Sequence, residues 1–129
     1  MQQARSLQQF TDAVLQVRTW EDANLPMEQS TLAYDLLTLV THQTIHSQPI
    51  SLKHLFVSLN YSEAGIRKQL RRCIKDEWLR LEDSTQDRRV RHVIAEPKLV
   101  ALFNNYADVI RNAYGASTTD SVSQQQDTL

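Results

Sequence analysis

The sequence is poor in the residues that punctuate a chain most strongly. It has two glycines, three prolines and one cysteine among 129 residues. So few turn-forming residues exclude a β-sandwich, a β-barrel or a collagen-like chain. Helix-forming residues dominate instead, and the 41% of apolar residues is enough for one modest core. We therefore expect a mainly α-helical globular protein.

Cellular context follows from two further absences. The single thiol, Cys73, cannot form an intramolecular disulfide or a cysteine-based zinc site, so a reducing cytoplasm is the simplest setting. No apolar run approaches the roughly 20 residues of a membrane span, and the polar residues 1–5 do not resemble a signal peptide. We expect a cytoplasmic protein with no membrane partner.

Charge is unevenly distributed, although the net charge is only −1. Residues 67–92 carry nine Lys/Arg and five Asp/Glu, which leaves five basic and ten acidic residues elsewhere. The middle of the chain is therefore basic and the remainder acidic. This local asymmetry matters more to a polyanionic partner than the total does.

Apolar spacings of three and four predict helices over Ser6–Trp20 and about Glu28–Ser47, the second ended by Pro49. Ser51 and Ser62 are suited to cap two further helices, the second with Ile66, Leu70, Cys73 and Ile74 facing the core. Pro97 begins a last helix to about Tyr114, with Gly115 as its stop.

Between the last two helices the hydrophobic period changes to two. Leu79–Glu82 and Val90–Ile94 alternate around a polar loop, which predicts a β-hairpin. A short helix, a turn, a basic helix and a hairpin together form a winged helix-turn-helix. We divide the chain into an N-terminal helix (1–26), the winged domain (27–96), a C-terminal helix (97–115) and a disordered tail (116–129).

The basic helix places its cations away from its apolar side. On a helical wheel the cationic positions lie opposite Ile66 and Leu70, a face that fits the DNA major groove. Arginines at the hairpin tip suit a narrow minor groove, and Asp87 can hold Arg89 extended. The predicted DNA contacts are Ser62, Ala64, Gly65, Arg67, Lys68, Arg71, Arg72, Lys75, Arg88, Arg89 and Arg91.

These motifs resemble the MarR family of winged-helix transcriptional regulators over about Leu32–Leu102. The matching features are Ser62-x-x-Gly65-Ile66, Leu70-Arg71-Arg72-Cys73, Trp78-Leu79, Asp87-Arg88-Arg89 and Glu96-Pro97-Lys98. The resemblance implies a recognition helix in the major groove and a wing arginine, Arg88 or Arg89, in the minor groove. The family usually has Gly at the position of Glu77, so we expect this helix to end differently.

The two terminal helices carry more apolar surface than a winged domain needs. Their stripes predict a homodimer through the N- and C-terminal helices, although packing within one protomer explains part of them. The predicted dimer residues are Leu7, Phe10, Val14, Val17, Leu99, Phe103, Tyr106 and Ile110.

Other chemistry is not expected. His42 and His46 share a helix face, but Gln43 occupies the place of a general-base Glu and no third ligand follows, so we expect no metal and no cofactor. No catalytic pattern indicates an enzyme, and nothing in the sequence supports a small-molecule effector. The expected function is a sequence-specific, nucleoid-associated regulator that binds double-stranded DNA. A protein-interaction adaptor, or a DNA-binding accessory of a mobile element or replication system, remains the alternative.

Overall fold

The computed structural model describes residues 2–127, with side chains described from residue 5 to residue 115. The elements follow the predicted order of helices and hairpin, so the mainly α fold with a small wing is confirmed. They are α1 (Gln2–Asn24), α2 (Thr31–Ile45), β1 (Ile50–Ser51), α3 (Leu52–Ser58), α4 (Glu63–Lys75), β2 (Leu79–Asp83), β3 (Arg91–Ala95) and α5 (Pro97–Asp127).

Three helices begin at a serine cap. Ser30, Ser51 and Ser62 have extended backbone conformations, and each side-chain oxygen accepts a hydrogen bond, 3.1 Å long, from the amide three residues later. Such a bond satisfies one of the amides that a helix start leaves unpaired. The caps predicted at Ser51 and Ser62 are therefore confirmed, and the cap at Ser30 starts α2 at Thr31, three residues after the predicted start at about Glu28.

The wing is an antiparallel hairpin within a three-stranded sheet of order β1-β3-β2. Leu79 lies opposite Ala95, and Asp83 lies opposite Arg91. Strand β1, in which Ile50 pairs with Val93, was not predicted. A strand of two residues has no measurable alternation, so only its distant partner defines it.

Two helices end in a Schellman motif, with a residue other than glycine in the left-handed conformation. At the end of α4, Glu77 has a φ of 63°, its amide bonds to the carbonyl of Ile74 and the amide of Trp78 bonds to the carbonyl of Cys73. Ser47, with a φ of 57°, ends α2 in the same way. The expectation that Glu77 changes the helix end is therefore wrong: two backbone hydrogen bonds hold it where glycine is usual.

Contacts divide the chain into two compact units, one comprising Met1–Glu28 with Leu102–Leu129 and the other Gln29–Ala101. The second unit contains the helix-turn-helix, the wing and the first residues of α5. Its core consists of side chains with at most 1% exposure from every helix and from both hairpin strands. They are Leu36, Leu37, Val40, Leu55, Ile66, Leu79, Val93 and Leu99.

The first unit contains α1 and the later part of α5. Trp20 and Tyr106 stack with ring centroids 5.6 Å apart, and the Tyr106 hydroxyl donates to Glu21. The predicted stop at Gly115 is wrong, because α5 continues to Asp127 and Gly115 has no positive φ. A glycine inside a helix costs about 1 kcal/mol relative to alanine, which does not force an end.

Helix α5 extends through residues 116–127 of the predicted disordered tail (116–129); residues 128–129, and the side chains of residues 116–127, lie outside what the structure describes. Across residues 2–127, none of the helices combines the length and apolar character that a membrane crossing needs.

Candidate nucleic-acid interface

Helix α4 has one buried face and one charged face. Ile66, Leu70 and Cys73 are at most 6% exposed, as the wheel predicts, while Ile74 is half-buried. These positions recur every three or four residues, so they share one side of the helix. The opposite side is exposed, and its composition determines what the helix presents to a partner.

Three cations lie on that opposite side at spacings of three and four residues. We call Lys68, Arg71 and Lys75 the basic stripe; all three are exposed. Within the described residues, none of them has a hydrogen-bond or ion-pair partner. Their charge is therefore available to a ligand without first breaking an internal contact. Arg72, also exposed, lies at the edge of the stripe and has a contact within the chain.

The start of α4 is compact. Ala64 is exposed and small, so it adds little bulk to the first turn. Gly65 leaves room for the cap, since a Cβ at this position would lie 3.0 Å from the Ser62 hydroxyl oxygen. The predicted contact residues Ser62, Ala64 and Gly65 thus lie together at the amino end of α4, where the helix dipole favours an anion.

Arg67 differs from the basic stripe. Its Nε and Nη2 atoms both donate to Glu63 Oε1, at 3.2 and 2.8 Å. Its guanidinium carbon lies 4.6 Å from the centroid of the Phe56 ring on α3. The helical wheel predicted that Arg67 contacts DNA, but in the structure its guanidinium is engaged within the protein. A wheel does not show the side chains of a neighbouring helix, so the contact with Phe56 could not be predicted from it.

The carboxyl end of α4 is held by Lys98. The Lys98 ammonium donates to the Asp76 carbonyl oxygen at 2.7 Å and lies 4.2 Å from the Trp78 ring centroid. A cation is favourable at this end of a helix, where carbonyl groups lack partners. The contact fixes α4 to the start of α5 within the same compact unit.

The wing turn is organised by two short side chains. Ser84 Oγ accepts the amides of Gln86 and Asp87, and Asp87 Oδ1 accepts the Arg89 amide at 3.0 Å and Arg89 Nε at 3.2 Å. Hydrogen bonds from Arg89 hold the pKa of the Asp87 carboxyl below its usual range. The predicted pairing of Asp87 with Arg89 is present, and Arg89 remains 91% exposed.

The other arginines of the wing divide into free and paired groups. Arg88, at the tip, is exposed and has no partner within the described residues. Arg91 pairs across the hairpin with Asp83 at 3.4 Å. Arg80, which we did not predict as a contact, pairs with Glu82 and Glu96 at 3.3 and 3.2 Å. The wing therefore presents Arg88 and Arg89, and uses Arg91 partly to hold its strands.

The predicted dimer residues fall into two groups. Leu7 and Phe10 are 62% and 51% exposed on α1, so both present apolar surface, although the Phe10 ring also lies 6.0 Å from that of Tyr114. Val17, Leu99 and Tyr106 are at most 6% exposed and pack within the protomer. The half-buried remainder comprises Val14, Phe103 and Ile110.

The pair of histidines at the end of α2 and the single cysteine do not form part of this interface. His42 and His46 are exposed with ring centroids 4.4 Å apart, and no group of three or more metal-binding side chains exists among the described residues. Burial, with a smaller effect from Asp76, raises the pKa of the Cys73 thiol to about 11. That value indicates a core side chain, not a reactive thiolate.

Sequence reasoning missed the residues that support the surface: Phe56, Glu63 and Lys98. Of these three, only Glu63 could have been identified from the sequence, because its spacing of four residues from Arg67 is typical of a helical ion pair. The roles of Phe56 and Lys98 depend on contacts between different elements.

The sequence matches no protein-family model and none of the curated proteins. The structure is similar to that of the S. aureus MepR–DNA complex, with a TM-score of 0.64, 9% identity and coverage of 92% of this chain and 97% of that one. It is also similar to the transcriptional regulator Tm0710 of Thermotoga maritima, with a TM-score of 0.65, 16% identity and coverage of 99% and 89%.

A third similar structure is Sco3205, a MarR family transcriptional regulator from Streptomyces coelicolor in complex with DNA, with a TM-score of 0.58, 16% identity and coverage of 95% and 78%. This chain therefore has the winged-helix fold of MarR-type regulators.

Proposed function

We propose that this protein is a transcriptional regulator of the MarR type that binds double-stranded DNA in a sequence-specific manner. The observation that carries the proposal is the basic stripe, in which Lys68, Arg71 and Lys75 lie exposed and unpaired, within the described residues, opposite the buried side of α4. In a helix-turn-helix this second helix is the one that enters the major groove.

The dimensions and chemistry of α4 suit that groove. A helix with its side chains is about 10–12 Å across, and the major groove of B-DNA is about 12 Å wide. Lysine and arginine reach guanine O6 and N7 or the phosphates, and the first turn, with Ala64 and Gly65, lets the helix approach the base edges closely. The free positive charge supplies the salt-sensitive part of the affinity.

The wing supplies a second contact. Arg88 and Arg89 reach into the adjacent minor groove, where a narrow groove concentrates negative potential. The two bonds that Arg89 Nε and Nη2 donate to the Asp87 carboxylate limit the conformations of the Arg89 side chain before DNA binds. This reduces the conformational entropy that binding would otherwise cost.

Similar proteins support the same role. MepR and Sco3205 have been determined in complexes with DNA, and each shares this fold over more than nine-tenths of the present chain. The exposed Leu7 and Phe10 on α1 support a homodimer. Two α4 helices related by a two-fold axis would read inverted half-sites about 34 Å apart, or a multiple of that distance. We place this dimer on the nucleoid in the cytoplasm.

The test begins with selection of bound sequences from a random duplex pool, followed by fluorescence anisotropy at several salt concentrations. Each cation–phosphate interaction that a substitution removes should reduce the slope of log affinity against log salt by about 0.9. We expect weaker binding from Lys68→Ala and Arg71→Ala. Arg18→Ala, which removes a 76% exposed cation from α1, is the matched control and should bind as the wild type does. Unchanged affinity in Lys68→Ala, Arg71→Ala and Arg89→Ala would refute the proposal.

A further inference from the structure

Arg67 is a cation of α4 whose contacts all point into the helix-turn-helix. It is 50% exposed, whereas its ion-pair partner Glu63 is 60% exposed. Two of its nitrogens share one carboxylate oxygen, and its guanidinium covers the ring of Phe56 from the preceding helix. The carboxylate and the ring thus hold this guanidinium from two sides.

We propose that Arg67 is a positioning residue, which fixes α4 against α3 and leaves contact with DNA to the basic stripe. The inference rests on the proposed function. Only a short connection, residues 59–62, joins α3 to α4. The Arg67–Phe56 contact adds a link between the two helices beyond that connection. It therefore influences the angle at which Lys68 and Arg71 meet the groove.

The chemistry of the contact requires arginine. A guanidinium is planar and weakly hydrated, so it can stack on a ring and still direct two N–H groups at a carboxylate. Lysine keeps the charge but presents a compact, strongly hydrated ammonium that cannot do both. A residue that merely neutralised a phosphate would tolerate this exchange, since a phosphate is satisfied by a point charge.

The position of Arg67 on the helix agrees with this division. Arg67 precedes Lys68 by one residue, which turns the two side chains about 100° apart on an α-helix. Lys68 projects directly away from Ile66 and Leu70, while Arg67 projects towards the side occupied by α3. A DNA contact through Nε, Nη2 or the ring-facing side of the guanidinium would replace the contacts that Arg67 makes with Glu63 and Phe56.

The experiment measures duplex affinity as a function of salt for Arg67→Gln, Arg67→Lys, Phe56→Leu and the double variant of Arg67→Gln with Phe56→Leu. The duplex is the one recovered by selection with the wild type. Thermal unfolding by circular dichroism establishes that each variant is folded. Lys68→Gln is the control for a direct contact, and its salt slope should fall by about 0.9 for each phosphate interaction it removes.

A positioning role predicts three results. Arg67→Gln weakens binding about two- to five-fold, the size of an exposed cation–π contact, without changing the salt slope. Arg67→Lys does not restore the affinity. The double variant binds less weakly than the product of the two single losses predicts, because both substitutions break the same contact.

The opposite results would overturn the inference. A salt slope that falls in Arg67→Gln, together with rescue by Arg67→Lys, would show that Arg67 contacts a phosphate. Independent losses in the double variant would show that Phe56 is not its partner in binding. If the wild type has no salt-sensitive affinity for any duplex, the proposed function itself is wrong, and that outcome is distinct from a failure confined to Arg67.

Discussion

Replacement of Glu77 by glycine should stabilise the protein. Glu77 has a φ of 63° between α4 and the first strand of the wing, and its Cβ is strained in that conformation. A left-handed residue other than glycine costs about 1–2 kcal/mol. Glycine removes this cost but adds about 0.5–1 kcal/mol of freedom to the unfolded chain. The middle of these two ranges gives a net gain from glycine of about 0.75 kcal/mol.

The control for this substitution is Glu77→Ala, which removes the charge and keeps the Cβ. A carboxylate near the carboxyl end of a helix is unfavourable by a few tenths of a kcal/mol, so alanine alone should change the free energy of unfolding little. The difference between glycine and alanine excludes the effect of the charge and leaves the backbone strain minus the added freedom of the unfolded chain. It should raise the melting temperature by roughly 2–5 °C for a chain of this size.

The assay is thermal and urea-induced unfolding followed by circular dichroism, with Ser47→Gly and Ser47→Ala as a second pair at the end of α2. Ser47 has the same left-handed conformation, and the end of α2 has the same pair of backbone hydrogen bonds. The same difference in stability between the glycine and alanine variants should therefore appear there. If glycine at position 77 is no more stabilising than alanine, the left-handed conformation of Glu77 is not present in solution. The assignment of a Schellman motif to the end of α4 would then be wrong.

Two buried side chains give further predictions. Because the pKa of the Cys73 thiol is raised to about 11, little thiolate exists at neutral pH, and a maleimide should label the folded protein far more slowly than the urea-unfolded protein; equal rates would contradict its burial. Thr41 is 5% exposed, and its hydroxyl has no partner within the described residues. Thr41→Val should raise the free energy of unfolding by about 1 kcal/mol in urea denaturation, since it removes an unsatisfied buried group; a loss of stability would show that the hydroxyl is hydrogen-bonded.

The features that sequence predicted well are those that depend on neighbours in the chain. A serine caps the amide three residues later, so Ser51 and Ser62 could be identified directly. The buried face of α4 follows from helical periodicity, and the hairpin follows from alternation on both sides of a polar loop. In each case the partner lies within a few residues.

The features that sequence missed depend on distant partners. β1 is a strand only because Ile50 meets Val93. Glu77 was a departure from the family pattern, yet its conformation is fixed by bonds to the carbonyls that α4 leaves unpaired. The partner of Arg67 on α3 could not be identified before the packing of the two helices was known.

The same distinction explains how a chain with a net charge of −1 can serve a polyanionic partner. Several cations of the basic segment are neutralised locally: Arg67 by Glu63, Arg80 by Glu82 and Glu96, Arg89 by Asp87, and Arg91 by Asp83. The cations of this segment without such partners in the described residues are the basic stripe and Arg88, and they lie at the two surfaces proposed to meet DNA. The number of Lys and Arg residues in the segment overstates the positive charge that is available to a phosphate, whereas the net charge of the chain understates it. Long-range repulsion from the acidic remainder is screened over about 8 Å at physiological salt, so the unpaired cations dominate at contact distance.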